Sequence, residues 1–374
     1  MNFSISNSEL SKKLNVVSKA IDNKAVLPIM QNVVFNIKDN VLTLVGSNGD
    51  NYLRAIVTLI QCEENISFGI LCSDLLNVIE RLTDDVLSFD VNMENATATV
   101  THNNGSFSLP VCDVNDYPVL SLIPENALSV NINGICLSNM IARTIIATAN
   151  DNMRPIMNGI LFDVKKDKLT LVASDGHILV RDNIALKTEC ESSSFICPKQ
   201  AASLVKLITS KNESDVTINF GTMNAVFTCE SYTLNCRLIE GVYPNYRSVI
   251  PSLNENSQTC INRVSLTSAI KRLLIFAGTT ALVKMTVKDN ILSLQSRDID
   301  FSKDCHENIS CNYSGNPLTI GFKGTIIEDI LSSLNGENIK LQVEDPSRAG
   351  LFIPENQPEN EDVLMLLMPM MLNE

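Results

Sequence analysis

Apolar residues recur along this chain at two distinct periods. Over Asn7–Ile21, the residues Leu10, Leu14, Val17 and Ile21 share one face at helical spacing, and Ser6-x-x-Glu9 ahead of them has the form of a capping box. The same period predicts helices over Ser73–Leu82 (Leu75, Ile79, Leu82, with Ser73 as cap), Leu137–Ala149 (Leu137, Ile141, Ile145) and Pro198–Thr209 (Leu204, Leu207, Ile208). It recurs over Arg263–Ala277 (Leu266, Ile270, Leu273) and Lys323–Leu334 (Ile326, Ile330, Leu334), the latter closed by Gly336. Between the helices, alternating runs such as Val41–Val45, Leu169–Ala173 and Ile291–Gln295 predict short strands joined at Asp, Asn and Gly turns. Two helices among many strands, repeated, is an α+β pattern with mostly antiparallel sheets.

The pattern also copies itself. Pro28–Gly49 (PIMQNVVFNIKDNVLTLVGSNG) aligns without a gap with Pro155–Gly176 (PIMNGILFDVKKDKLTLVASDG), at an offset of 127 and with half of the positions identical. A fainter third copy, Lys288–Leu294, echoes Lys38–Leu44 at an offset of 250. Units this long are whole domains rather than solenoid repeats. The expected division is 1–125, 126–251 and 252–374, and each part is large enough to bury a core of its own.

Composition narrows the picture. A chain with 45% hydrophobic and 19% charged residues is that of a folded protein, and its longest apolar run, around Val363–Met368, is too short to cross a bilayer. No membrane association is expected. The N-terminal segment lacks the basic, apolar and small-residue succession of a secretion signal, so a cytoplasmic location is expected. Eleven cysteines without a Cys-x-x-Cys, beside three histidines, do not have zinc-ligand spacing; Cys190/Cys197, Cys229/Cys236 and Cys305/Cys311 are the nearest pairs. They read as reduced thiols, and neither metal nor cofactor is expected. The net charge of −13 argues against a nucleic-acid partner until its distribution is considered. The six helices sum to +6, leaving −19 for the rest of the chain. A basic helical surface on an acidic body suits a polyanion at one face only.

Asp175-Gly176-His177 is the one constellation that suggests catalysis. Adjacent side chains do not face one another along a strand or turn, and the first copy reads Asn48-Gly49-Asp50, keeping the glycine but not the histidine. The glycine is therefore expected to serve a turn, and no catalytic residue is assigned. A phosphate-binding Gly-x-x-x-x-Gly-Lys-Ser/Thr loop is missing from the sequence.

Several motifs, in order and across all three copies, carry a family resemblance. They are Leu27-Pro28-Ile29 with Asn32; Asn158-Gly159-Ile160-Leu161-Phe162 with Ala173-Ser174-Asp175-Gly176-His177; Gly241-Val242-Tyr243-Pro244-Asn245-Tyr246-Arg247; Tyr313-Ser314-Gly315; and the ending Met368-Pro369-Met370. With them the chain resembles the bacterial sliding clamps, the β subunits of DNA polymerase III, over its whole length. The resemblance implies a DNA-clamp fold of three repeated domains, and a homodimer closed head to tail into a six-domain ring around duplex DNA. Such a ring is a non-catalytic processivity factor that holds DNA by topology. Any ATP use would belong to a separate clamp loader. The resemblance further implies DNA-facing positions at or near Lys24, Arg81, Arg154, Lys199 and Lys323, joined by Lys271 and Arg272. It places a dimer seam at Phe107 and Leu109 against Ile275 and Phe276. It also implies a cleft for short apolar peptides of the replicative polymerase, the loader and repair proteins, built from Met157, Ser174, Gly176, His177, Leu179, Pro244, Val249, Met368, Pro369 and Met370. Ile178 stands where the family often carries arginine, and Asn373-Glu374 extend slightly past the usual ending. Two other readings remain: a repeat-built scaffold with no DNA at its centre, and a hydrolase using His177 with a partner supplied by the fold.

Overall fold

The structure, a computed structural model, describes residues 1–62, 64–83, 85–118, 127–186, 191–298, 300–313 and 315–372. Cys190, Ser314, Asn373 and Glu374 lie outside the described residues. Six α-helices are described: α1 (Asn7–Val17), α2 (Cys72–Ile79), α3 (Gly134–Thr144), α4 (Lys199–Thr209), α5 (Arg263–Phe276) and α6 (Gly324–Ser333). They match the expected six, but α3 begins three residues and α2 one residue ahead of the expected start, and most C-terminal ends are shorter. α1 tightens into a 3-10 turn at Ser18–Ala20, and α3 does the same at Ile145–Ala147.

Helix faces follow the sequence period, with exceptions. Leu10, Leu14 and Val17 of α1 are fully buried, as are Leu266, Ile270 and Leu273 of α5. In α4 the buried stripe is Ala201, Leu204, Val205 and Ile208, whereas Leu207 points outward. Two expected caps are not formed. The Ser6 side chain accepts from no backbone N–H of α1, its hydroxyl meeting the Ser8 hydroxyl instead, so the capping box is absent. α2 begins at Cys72, which puts Ser73 inside the helix with its hydroxyl near the Asp74 carboxylate. In both cases a strand runs directly into the helix, and its backbone direction fixes the first turn. Asn262 does cap α5, accepting from the Ser265 N–H at 2.9 Å.

The chain packs into two units, one of residues 1–138 with 200–238, the other of 139–199 with 239–374. Each holds one antiparallel sheet. The first runs Leu128–Asn133, Asp215–Phe220, Asn224–Cys229, Tyr232–Arg237, Asn51–Thr58, Val41–Ser47, Asn32–Lys38, Ile66–Leu71, Gly105–Cys112, Thr97–His102, Val86–Asn92, Asn2–Ser6 and Gln61–Cys62. The second runs Ser193–Pro198, Gly159–Lys165, Lys168–Ser174, Ile178–Ala185, Glu361–Leu367, Gly350–Pro354, Asn338–Gln342, Gln258–Asn262, Lys303–Asn312, Ile291–Asp298, Leu282–Lys288 and Leu318–Lys323. The middle repeat thus divides its strands. One set continues the sheet of the first repeat through Leu234 opposite Leu53, and the other joins that of the third through Val180 opposite Met365.

Besides the strands that end each sheet, Gly105–Cys112 and Lys303–Asn312 each keep a long stretch of one edge unpaired among the described residues. Gly105–Cys112 is laddered to Thr97–His102 along its length, but to Ile66–Leu71 only through Val111 and Cys112. Lys303–Asn312 is laddered to Ile291–Asp298, but to Gln258–Asn262 only through Cys311 and Asn312. Such edges invite pairing with another chain.

Local chemistry explains the turns. Asp39-Asn40 and Asp289-Asn290 have positive φ at both positions, the geometry of tight hairpins in which Asn and Asp are tolerated. Gly46 lies where α1 and its 3-10 extension cross the sheet. A Cβ there would fall 2.7 Å from Ile21 and 2.8 Å from Val17, so only glycine permits that approach.

Beneath the second sheet, Arg143 of α3 is buried and donates through Nε to Asp182 Oδ2 at 2.6 Å, and through Nη2 to Glu361. One guanidinium faces two carboxylates. Burial pushes Asp182 up to about 7, with Arg143 pulling the other way, and Glu361 is raised for the same reason. Asp182 Oδ1 has no hydrogen-bond partner among the described residues, so Arg143 alone supports its charge against burial. Because the folded pKa exceeds the unfolded one, the native state binds this proton more tightly. Its contribution is complete below about pH 4 and is lost as pH rises through 7. A displacement of this size is worth on the order of 4 kcal/mol. Asp182→Asn is therefore expected to flatten the pH dependence of denaturant unfolding between about pH 4 and 7. Parallel stability curves for the variant and the parent protein would show that Asp182 does not titrate there.

Candidate functional site

The strand pair Lys168–Ser174 and Ile178–Ala185 meets at the turn Asp175-Gly176-His177, which is built by local bonds. Asp175 Oδ1 accepts from the N–H groups of His177 (2.7 Å) and Ile178 (2.9 Å), and the Ser174 hydroxyl donates to the Ile178 carbonyl at 2.8 Å. Gly176 sits at φ +97°, and its counterpart Gly49 at +96°. This is a structural turn in which the Asp175 carboxylate is committed to backbone. His177 is exposed, beside no activating partner that the Asp175-Gly176-His177 motif itself supplies.

Around this turn the structure gathers the expected cleft residues. Met368 donates its N–H to the His177 carbonyl at 2.8 Å, which holds the C-terminal segment against the turn. Met370 bridges to Gly321 at 2.8 Å. On the same sheet face, Leu161, Val172, Leu179, Leu364 and Leu366 form an apolar cluster with Tyr246, against which Ile156, Tyr243 and Ile250 pack. Leu179 is buried and belongs to the floor. Val249 is 57% exposed and Met368 42%, and Pro244 is exposed too, so apolar groups remain open above that floor. Met157 is nearly buried, and Pro369 and Met370 are half-buried. Ile178 is 2% exposed and faces the opposite side, so no rim contact comes from that position.

The Gly241–Arg247 linker is fixed onto the sheet by one carboxylate. Asp163 Oδ2 accepts from the Tyr246 hydroxyl at 3.0 Å and from Arg247 Nη2 at 2.8 Å, while Lys165 approaches Oδ1 at 3.2 Å. These bonds hold Pro244 and Val249 over the floor.

The five cations expected to face DNA are all exposed. Lys24 lies in the turn after the helical segment of the first repeat, and Arg81 lies two residues past α2. Lys199 is the first residue of α4 and Lys323 the cap residue of α6. A cation at a helix N-terminus opposes the macrodipole, so helix stability does not account for Lys199 or Lys323. Arg154 differs. Its Nε donates to Asp151 at 2.8 Å, and its guanidinium lies over the Asp175-Gly176 turn, 3.4 Å from where a Gly176 Cβ would stand. It therefore flanks the cleft. Other helix charges counted in the sequence are held internally. Lys13 is buried with its ammonium 4.1 Å from the Tyr232 ring centre, which lowers its pKa through burial, and Arg143 is buried as described. Arg272 forms a two-pronged pair with Glu307 at 2.6 Å, and Arg263 is bonded to the Gly336 carbonyl at 2.7 Å. The usable positive surface is smaller than the net +6 implies.

Phe107 and Leu109 alternate on one side of Gly105–Cys112 and are half-buried; Ile275 is 72% exposed and Phe276 half-buried at the end of α5. Sequence reasoning missed a group on the same sheet face as the cleft: Lys165, Lys168, Arg181 and Arg247 around Thr170 and Asn183. The period-two alternation of KLTLVAS and ILVRDNIA was the signal available for it.

Comparison with known proteins adds independent support. Residues 1–121, 131–245 and 247–371 match, respectively, the N-terminal, central and C-terminal domains of the DNA polymerase III beta subunit. A beta sliding clamp of Haemophilus influenzae is 28% identical over 374 residues, and one of Streptococcus pneumoniae is 25% identical over 386, each pair covered completely. The fold is also that of a DNA polymerase III beta subunit from Thermotoga maritima (TM-score 0.90, 21% identity) and of a sliding clamp from Pseudomonas aeruginosa (TM-score 0.91, 22% identity), with complete coverage of both chains. With its three consecutive domains matched in order and its whole length shared with sliding clamps, the chain belongs to the DNA polymerase III beta subunit family.

Proposed function

We propose that this protein is a ring-forming sliding clamp with domains 1–125, 126–251 and 252–374, which encircles duplex DNA in the cytoplasm and tethers replication partners. The observation that carries the reading is the strand pairing. At both joins inside the chain, the third strand of one repeat's hairpin series (Asn51–Thr58, Ile178–Ala185) pairs with the last strand of the next (Tyr232–Arg237, Glu361–Leu367). The repeat offsets make Lys303–Asn312 the third member of the first set and Gly105–Cys112 that of the second. Both keep a long stretch of one edge open among the described residues. Pairing them between copies repeats the internal join, head to tail, and closes a ring when it occurs twice. Phe107 and Leu109 then face the end of α5 at Ile275 and Phe276.

In such a ring topology, rather than affinity, retains the DNA, and a few phosphate contacts suffice. Lys24, Arg81, Lys199 and Lys323 supply them, and Arg154 serves the cleft. The chain acts as a processivity factor, not a catalyst. A scaffold with an empty centre gives no reason for lysines at the N-termini of α4 and α6. Replacing the four cations with serine is expected to lower the slope of log affinity for DNA against log salt, by about 0.9 for each phosphate no longer neutralised, and to leave sequence preference unchanged. Arg154→Ser is expected to leave that slope alone and to weaken peptide binding. An unchanged slope in the fourfold variant would remove these residues from the DNA surface.

The cleft around Leu179, Val249, Pro244 and Met368 takes short extended peptides with apolar anchors. Methionines and exposed aliphatic groups adapt to several partners in turn. Each buried anchor contributes about 1.5–3 kcal/mol before ordering costs, which suits exchange rather than permanent attachment.

A further inference from the structure

Beside the apolar floor, on the same face of the second sheet, lies a cavity of about 320 Å³ lined by Lys165, Lys168, Thr170, Arg181, Asn183, Tyr246, Arg247 and Ile250. Its base is built. Thr170 and Asn183 are both buried, with the Thr170 hydroxyl donating to Asn183 Oδ1 at 2.7 Å and Asn183 Nδ2 donating to Asp362 at 2.9 Å. Four cations surround it against two carboxylates. Asp163 is shared by Lys165 and Arg247, and Asp362 takes Arg181 Nη2 at 2.6 Å. Arg181 Nε is buried without a hydrogen-bond partner among the described residues. The site therefore keeps two positive charges in excess. Tyr246 and Ile250 belong both to this cavity and to the apolar cluster, so the two are continuous.

We propose that this cavity receives an acidic side chain of the partner peptide whose apolar anchors occupy the cleft, so that partners are selected for a carboxylate at a fixed distance from those anchors. The inference rests on the cleft reading above. Sheet geometry sets the distance. Leu179, Arg181 and Asn183 alternate on one face of one strand, so Asn183 lies about 13 Å from Leu179 along it. An extended peptide covers that span in roughly three to five residues. A nucleic-acid occupant is disfavoured by position. Asp182, which meets α3 through Arg143, points to the other face of the same strand, so the cavity lies on the face opposite that helix.

The test uses the full chain and two synthetic peptides that share a Leu-Phe anchor pair. One carries two aspartates three to five residues from the pair, and the other carries asparagines there. In fluorescence anisotropy at low salt the acidic peptide is expected to bind about tenfold more tightly, with the advantage shrinking as salt is added. Lys168→Ser is expected to reduce the preference to about threefold or less and to leave the asparagine peptide's affinity unchanged. Its side chain reaches solvent, and an unchanged unfolding midpoint in the variant verifies the fold. Equal binding of the two peptides to the parent protein overturns the acidic preference while sustaining the cleft. Binding of neither peptide overturns both. Displacement of the acidic peptide, but not of the asparagine peptide, by excess duplex oligonucleotide would assign the cavity to phosphate and overturn the proposal.

Discussion

Ile275→Asp combined with Phe276→Asp is expected to convert the protein from dimer to monomer at micromolar concentration. In the monomer Ile275 is 72% exposed at the end of α5, so carboxylates there cost the isolated chain little. In the proposed ring the same positions would meet Phe107 and Leu109 of the second copy. Two unpaired carboxylates would be desolvated at each seam, at several kcal/mol apiece even after relaxation. The edge strands Lys303–Asn312 and Gly105–Cys112 would keep their backbone donors and acceptors, but a ladder without its apolar flank is weak. Sedimentation velocity reads the result directly. A double variant that sediments as the parent dimer would take the end of α5 out of the interface and would require the open edges to be explained otherwise.

Deleting residues 370–374 is expected to abolish stimulation of the cognate polymerase while leaving the dimer intact. The segment's backbone bond to the sheet is that of Met370 to Gly321, on the edge strand Leu318–Lys323, three strands from Lys303–Asn312 in strand order. Its loss costs about 1 kcal/mol locally and does not touch the proposed seam. In the cleft, the deletion removes Met370 and leaves Met368 held by its bond to His177 alone, opening the side of the pocket. Calorimetric titration with a polymerase-derived peptide should show at least a tenfold loss of affinity, as expected when an anchor pocket of about 1.5–3 kcal/mol is dismantled. Equal affinities for intact and truncated protein would mean that the C-terminal segment lies outside the binding site.

The repeat and the period of apolar residues made the helices, the hairpins and the turn glycines legible in advance. Leu10, Leu14 and Val17 behave as their spacing dictates, and Gly49 and Gly176 take matching positive φ. Local capping rules failed at Ser6, whose hydroxyl turns to Ser8, and at Ser73, which lies inside α2, because in each the strand ahead of the helix sets where the first turn begins. The pairing of Arg143 with Asp182 and Glu361 joins residues up to 218 apart in sequence, a distance over which local patterns carry no signal. For the same reason the helix charge sum overstated the basic surface: Lys13, Arg143, Arg263 and Arg272 are engaged by partners that only the fold brings near. The cleft was accessible through the order of the motifs. Its continuity with the basic cavity depended on strand register, Thr170 opposite Asn183 and Val172 opposite Arg181, which local sequence does not specify.

Topological retention tests the central claim most directly. Labelled protein is assembled on nicked circular plasmid with a clamp loader and ATP, and then passed over a sizing column in high salt, where charge contacts alone are screened. The expected result is co-elution with the circle, and release once the plasmid is linearised by a single cut. Equal retention on circular and linear DNA, or none on either, would contradict a closed ring around the duplex.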